Sequence, residues 1–370
     1  MKVLFLHGAI KNAGDFLIAH RSQLLIKKII PEIEIIPVWE GEKTSTIEEI
    51  IQKVDGIIFG GGPFFTSNIY PGDIPFVSDI NDLKVPMINI GGGWFGFNDD
   101  AETIRDYQMN DSSMELLRKI EASSKVLSCR DWHTENMLKL KGFKAEMHGC
   151  PAWYDAEYMD MSSLRTTKEI QNICISDPAN IKNSEAARVV VRIIKNKFPD
   201  AKIKYIFHRG TWEKEDGKIG LQRKAGIEKT LLENHIEWVD ISGGYEGFKI
   251  YDTCDLHIGF RVHAHIYNLS HRNRSILIEE DGRGSGVNQA LGLNSIYAYN
   301  KKRIIKPVMI RKICNRLFTN INPYLEQDLT LQLERMENNN YLEYETAFSR
   351  MQFYYKKMCS HIKQIEGWTN

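Results

Sequence analysis

Short apolar runs alternate with helical patterns along most of this chain, and that alternation restricts the fold more than any other feature. In the first part, residues 2–7, 32–38, 56–59, 85–90 and 125–129 read as strands with helical periods between them. Brief apolar strands interleaved with helices predict a parallel sheet covered on both faces. The pattern weakens over residues 151–167, a polar stretch where the linker is placed, and resumes with residues 172–176, 202–208, 236–241, 255–260, 275–280 and 295–299. A chain of 370 residues is more than one core usually fills. The expectation is an α/β protein of two Rossmann-like, doubly wound parallel-sheet domains, residues 1–158 and 168–300, facing each other across a cleft. Loops at the carboxyl ends of the strands would then hold the ligands.

Residues 301–370 form the remainder. From Lys301 to Arg316 the run is strongly basic and carries no acid, which suits either a solvated face or a peripheral contact with an anionic, lipid-linked substrate at a membrane surface. Tyr344, Phe348, Met351, Tyr355, Met358, Ile362 and Ile365 mark one helical face, expected to pack back on the domains; a coiled-coil partner or homo-oligomer is the alternative. Ser45 and Glu48 have the spacing of a capping box.

The 48 basic and 48 acidic residues cancel, so no chain-wide field directs the protein to nucleic acid. Six cysteines are scattered without a CxxC pair, as expected of buried thiols in a reducing cytoplasm. No long apolar segment or secretory leader is recognisable, so a cytoplasmic chain is expected.

The chemistry concentrates at predicted strand ends. Asn12, Gly14 and Asp15 open a helix after the first strand; they serve as caps, or Asp15 as a base toward a hydroxyl. Glycine loops follow two more strands, with Gly61 and Gly62 in one and Gly92 in the other. These suit tight turns or the approach of a sugar ring beside aromatic residues. Neither is a dinucleotide fingerprint or a P-loop, and no cofactor is implied. Arg130 and Asp131 meet a helix start, either as a local ion pair and cap or as catalytic groups. His208 and Arg209 end another strand, as an anion contact or a solvated loop. Arg261, His263 and Arg283 gather around a strand–helix–strand segment, where guanidinium forks suit carboxylate and phosphate oxygens and a histidine can move a proton. His263 and His265 stand two apart, which on a helix separates them, so no metal pair is expected.

In this order, Asn-x-Gly-Asp, Gly-Gly-Gly, Ser-x-Arg-Asp, the Pro151-Ala152 pair and Arg-x-His-Ala (Arg261 to Ala264) resemble the polysaccharide pyruvyl transferase family over roughly residues 1–300. The resemblance implies two Rossmann-like domains similar to one class of glycosyltransferases (glycosyltransferase-B-like), the first on the acceptor side and the second on the donor side. It implies a phosphoenolpyruvate donor, a glycan or lipid-linked sugar acceptor and a cyclic ketal product. Arg261, Arg283 and Arg209 would contact the donor, with His263 as acid or phosphate partner and Asp15 or Asp131 as base. The chain departs from the family at Gly149-Cys150 before Pro151, and at Arg283, where many members have lysine. A nucleotide-sugar glycosyltransferase, using Glu279, Glu280 or Asp281 for the ribose, and a non-catalytic glycan-binding protein remain as alternatives.

Overall fold

The computed structural model describes residues 1–94, 96, 101–166, 168–211, 213–299 and 321–369. The first half contains β1 (Lys2–His7), β2 (Glu34–Trp39), β3 (Gly56–Phe59), β4 (Gly62–Phe65), β5 (Met87–Asn89), β6 (Gly92–Trp94), β7 (Leu127–Cys129) and β8 (Ala145–Met147). They form two four-stranded parallel sheets ordered β2-β1-β3-β5 and β4-β6-β7-β8. The chain passes from the first sheet to the second twice, from β3 to β4 and from β5 to β6, at the two glycine loops. Each of these loops, read from the sequence as a tight turn or a sugar-facing loop, also contains a short strand that the sequence reading did not anticipate. β8 was not anticipated.

Asn89 joins the two sheets. Its fully buried side chain donates to the Ser128 carbonyl (2.7 Å) and accepts from the Ser128 amide (3.0 Å), doing what a neighbouring strand's backbone would do. The Ser128 hydroxyl then accepts from the Gly91 amide. Gly91 has φ +59°, a left-handed conformation suited to glycine.

The second half holds β9 (Asn172–Ser176), β10 (Lys202–Phe207), β11 (Glu237–Asp240), β12 (Leu256–Gly259), β13 (Arg274–Glu279) and β14 (Ile296–Tyr297). Their parallel order β11-β10-β9-β12-β13-β14 reverses direction between β9 and β12. That is the doubly wound order with its switch point between those strands. In the first half the corresponding reversal lies between β1 and β3.

The capping box expected at Ser45 and Glu48 does not form. The helix Thr44–Ile51 is capped at Lys43 without a side-chain bond, because Thr44 donates to the Pro75 carbonyl and Glu48 accepts from the Ser78 amide. Tertiary partners outcompete the local motif.

The helix Leu342–Ile362 packs back on both halves. Tyr344 exchanges hydrogen bonds with the backbone of Ser275, His361 bonds the Asn89 carbonyl at 3.0 Å, and Tyr354 stacks edge-on against Trp153. The predicted stripe is buried, with Tyr354 taking the deeper place expected of Tyr355, which is half-buried against Tyr154. The chain's own core thus covers the face for which a coiled-coil partner was considered. The basic run from Lys301 to Arg316 lies outside the described residues. Among the described residues no helix is long and apolar enough to cross a membrane.

Candidate active site

The switch point of the second sheet carries a buried ion pair. Asp177 follows β9 and Arg261 follows β12, and the Arg261 Nε and Nη2 bond the two Asp177 oxygens at 2.7 and 2.6 Å. Arg223 approaches the same carboxylate at 3.7 Å. The Arg261 amide donates to the Ser176 hydroxyl, which His257 also bonds. Arg261 is thus locked in place, and Nη1 is the part of its fork left to reach a ligand in the pocket it lines.

Arg130, Arg209, Arg261 and Arg283 line one pocket with Asn12, His208 and His263. Three acids share its wall, each engaged with protein donors. Glu280 accepts from the Ala179 and Asn180 amides and the Asn183 side chain. Asp281 caps the helix Gly282–Leu291 and pairs with Arg283 at 2.6 Å, while Glu279 accepts from Asn288. Burial pushes the Glu280 carboxyl up to about 7. The guanidiniums therefore outweigh the carboxylates.

His263 projects from the start of the helix Val262–Ser270 into this pocket. Burial, then the charges of Arg130, Arg283 and Arg261, lowers its pKa to about 3, so the ring is neutral at pH 7. A neutral ring leaves both expected roles, acid or phosphate partner, to depend on what binds beside it. Gly14 makes room for the ring, since a Cβ at that position would collide with His263 Nδ1. The two halves meet here through backbone bonds as well: the Ala13 amide donates to the His208 carbonyl (3.0 Å) and the Gly243 amide to Lys11 (2.8 Å). His208 itself is buried, with Nε2 at 2.8 Å from the Tyr251 hydroxyl, and burial holds its pKa far below the usual value. His265 turns away from His263 to the Ser275 hydroxyl, as helical spacing requires.

The remaining sequence candidates divide. Asp131 does not line the arginine pocket; it caps the helix Trp132–Leu140, accepting from the Thr134 amide and hydroxyl, and receives Arg130 Nε at 3.2 Å. Both of its oxygens are thus engaged, and it holds Arg130 in place. Gly92 lies in β6, where its carbonyl accepts from the Arg130 amide. Asp15, Gly61 and Gly62 line a second cavity of about 390 Å³ at the switch point of the first sheet. Burial raises the Asp15 pKa against the lowering effects of Asn12, Arg209, Arg283 and Arg261. Two residues that the sequence reading missed are central: Asp177, which fixes Arg261, and Glu40, which lines the second cavity. Each immediately follows a strand, and that position was the available signal.

The polysaccharide pyruvyl transferase family profile matches residues 12–281. No curated protein matches the chain. Solved structures with the same architecture include Staphylococcus aureus MnaA with UDP, at 12% identity, TM-score 0.58 and coverage of 99% of this chain and 97% of that one. A putative UDP-N-acetylglucosamine 2-epimerase from Listeria monocytogenes aligns at 9% identity, TM-score 0.56 and coverage of 100% and 97%. An Escherichia coli trehalose-6-phosphate structure bound with UDP-2-fluoro glucose aligns at 10% identity, TM-score 0.54 and coverage of 99% and 98%. At these identities the likeness is one of fold, the two-domain architecture of glycosyltransferases and epimerases.

Proposed function

The chain belongs to the polysaccharide pyruvyl transferase family, and from that premise we propose that it moves the enolpyruvyl group of phosphoenolpyruvate onto two hydroxyls of a sugar in a glycan or its precursor. The products are a cyclic ketal and phosphate. The observation that carries this reading is the cluster of four arginines around a neutral His263 at the switch point of the second sheet. Phosphoenolpyruvate sets a carboxylate and a phosphate a few bonds apart, and guanidiniums converging from separate loops suit such a compact anion.

The donor's negative charge offsets the guanidiniums that keep His263 neutral. Its pKa then rises, and the ring can accept a proton and pass it to the vinyl methylene. Asp15, at the border of the two cavities, is the base for the attacking hydroxyl. Arg283 acts in place of the lysine common in the family, held by Asp281.

Two of the solved neighbours are bound to UDP or UDP-2-fluoro glucose, so a nucleotide sugar is the competing donor. Two of the acids considered for its ribose, Glu280 and Asp281, are occupied by internal donors, which favours the smaller donor. The test is incubation of the protein with phosphoenolpyruvate and a panel of sugar acceptors. Phosphate release with an acceptor mass increase equal to a ketal-linked pyruvate supports the reading. Sugar transfer from a UDP-sugar, without phosphoenolpyruvate turnover, overturns it.

A further inference from the structure

We propose that the second cavity receives the hydroxyl pair of an uncharged sugar ring, and that Glu40 shares with Asp15 the removal of its two hydroxyl protons; this rests on the pyruvyl-transfer reading above. The cavity of about 390 Å³ is open to solvent and lies where the carboxyl ends of β1, β2 and β3 converge, the position at which a sheet of this winding binds ligands. Its wall combines the carboxylates of Asp15, Glu40 and Asp73 with His7, the backbone of Gly61 and the ring of Phe64. Carboxylates accept hydrogen bonds, and a neutral sugar offers hydroxyl donors. A uronic acid or sugar phosphate would instead bring like charge against three acids.

Asp15 belongs to this cavity while feeling the charges of Arg209, Arg283 and Arg261 in the donor pocket. It therefore marks the seam where acceptor oxygen and donor carbon meet. Glu40 follows β2, and its Oε1 lies beside the bare backbone of Gly8, where a Cβ would come within 2.9 Å. Burial, then the charges of Asp15 and Asp73, raises the Glu40 pKa to about 7. At neutral pH it can both take and release a proton.

Ketal formation needs two deprotonations, and of the three carboxylates in the wall Asp15 and Glu40 take one each. The first hydroxyl bonds to C2 of the donor and gives its proton to Asp15, while C3 gains one proton and becomes a methyl. The bond from C2 to the phosphate oxygen then breaks, and the second hydroxyl bonds to C2 and gives its proton to Glu40. Two protons leave the diol; one is recovered at C3 and one on the departing phosphate. No oxidant or reductant takes part.

The test uses the full chain and Glu40→Gln, with methyl hexopyranosides of several configurations and the matching methyl glycosides of hexuronates, their carboxylates free, as probes in the presence of phosphoenolpyruvate. Ligand-observed NMR reports binding, and phosphate release reports transfer. The expected result is that wild type binds neutral glycosides and not hexuronates, and that Glu40→Gln loses transfer about 100-fold and admits hexuronates. Its thermal shift with phosphoenolpyruvate should stay that of wild type, which also certifies folding. Glu40→Asp keeps the charge and should recover part of the transfer. Wild-type transfer in Glu40→Gln, or equal binding of hexuronates and neutral glycosides to wild type, overturns the proposal. Wild type unresponsive to phosphoenolpyruvate while still selecting neutral glycosides would count against the donor reading and leave this cavity's assignment standing.

Discussion

His263 ties donor binding to proton uptake. Its pKa is about 3, depressed first by burial and then by Arg130, Arg283 and Arg261. An anionic donor weakens that repulsion and raises the pKa, so the complex should take up a proton and donor affinity should rise as pH falls from 8 to 6. Calorimetry in buffers of different ionisation enthalpy would register this as greater uptake in wild type than in His263→Gln; equal uptake removes the ring from the coupling. Gly14 offers a second reading of the same ring. Gly14→Ala keeps the helix start, since alanine favours helix, but displaces the imidazole. Turnover should fall about 100-fold with little change in thermal midpoint. Full activity would show that the position of the ring is immaterial. Arg261→Ala is a poor probe of donor contact, because it takes from fully buried Asp177 the guanidinium that bonds both its oxygens, at a cost of about 3–5 kcal/mol. Arg283 is the more informative position, being partly accessible and paired at the pocket wall.

Among elements, the strands with continuous apolar runs were legible in the sequence, and β1, β3 and β9 match the predicted bounds. The segments β4 and β6 were not, because Gly-Pro-Phe-Phe and Gly-Gly-Trp have poor strand propensity and are held by their neighbours. The Asn89 bridge is one such hold, and nothing near it in sequence announces a partner 39 residues away. Site residues in local motifs, such as Arg261 with His263, could be read as a group. Asp177 lies 84 residues from Arg261, and Glu40 acquires meaning only when β1, β2 and β3 come together. Single-chain patterns carry no such pairing. Asn89→Ala deletes both bonds to Ser128 and leaves its buried amide and carbonyl without those partners, so unfolding in urea should reveal a loss of about 2–3 kcal/mol. A loss under about 0.5 kcal/mol would mean the two sheets hold together without it.

At the scale of the molecule, the halves are joined away from the pocket by an ionic cluster. Arg21 reaches Asp155 at 2.7 Å, and His271 bridges Asp155 at 3.0 Å and Asp252 at 3.3 Å. Burial alone would raise the Asp155 pKa, but the His271 hydrogen bond and the Arg21 charge outweigh it and bring it to about 2. A carboxyl depressed in the folded state stabilises fully above its unfolded pKa and loses that contribution as pH falls through the folded one. Thermal midpoints should therefore drop between about pH 4 and pH 2, and Asp155→Asn should flatten that limb. An unchanged limb would assign acid sensitivity to other carboxylates. The Leu342–Ile362 helix spans both halves as well, through Ser275 in one and Asn89 in the other. This interface orients the arginine pocket toward the cavity that holds Asp15. Whether the arginine pocket binds a compact carboxylate- and phosphate-bearing anion is decided by thermal unfolding with phosphoenolpyruvate or UDP-sugars. A ligand present at about 100 times its dissociation constant adds about 2.7 kcal/mol, so phosphoenolpyruvate should raise the midpoint, UDP-sugars should not, and Arg283→Ala should abolish the gain; protection by UDP-sugars alone would make the pocket a nucleotide-sugar site instead.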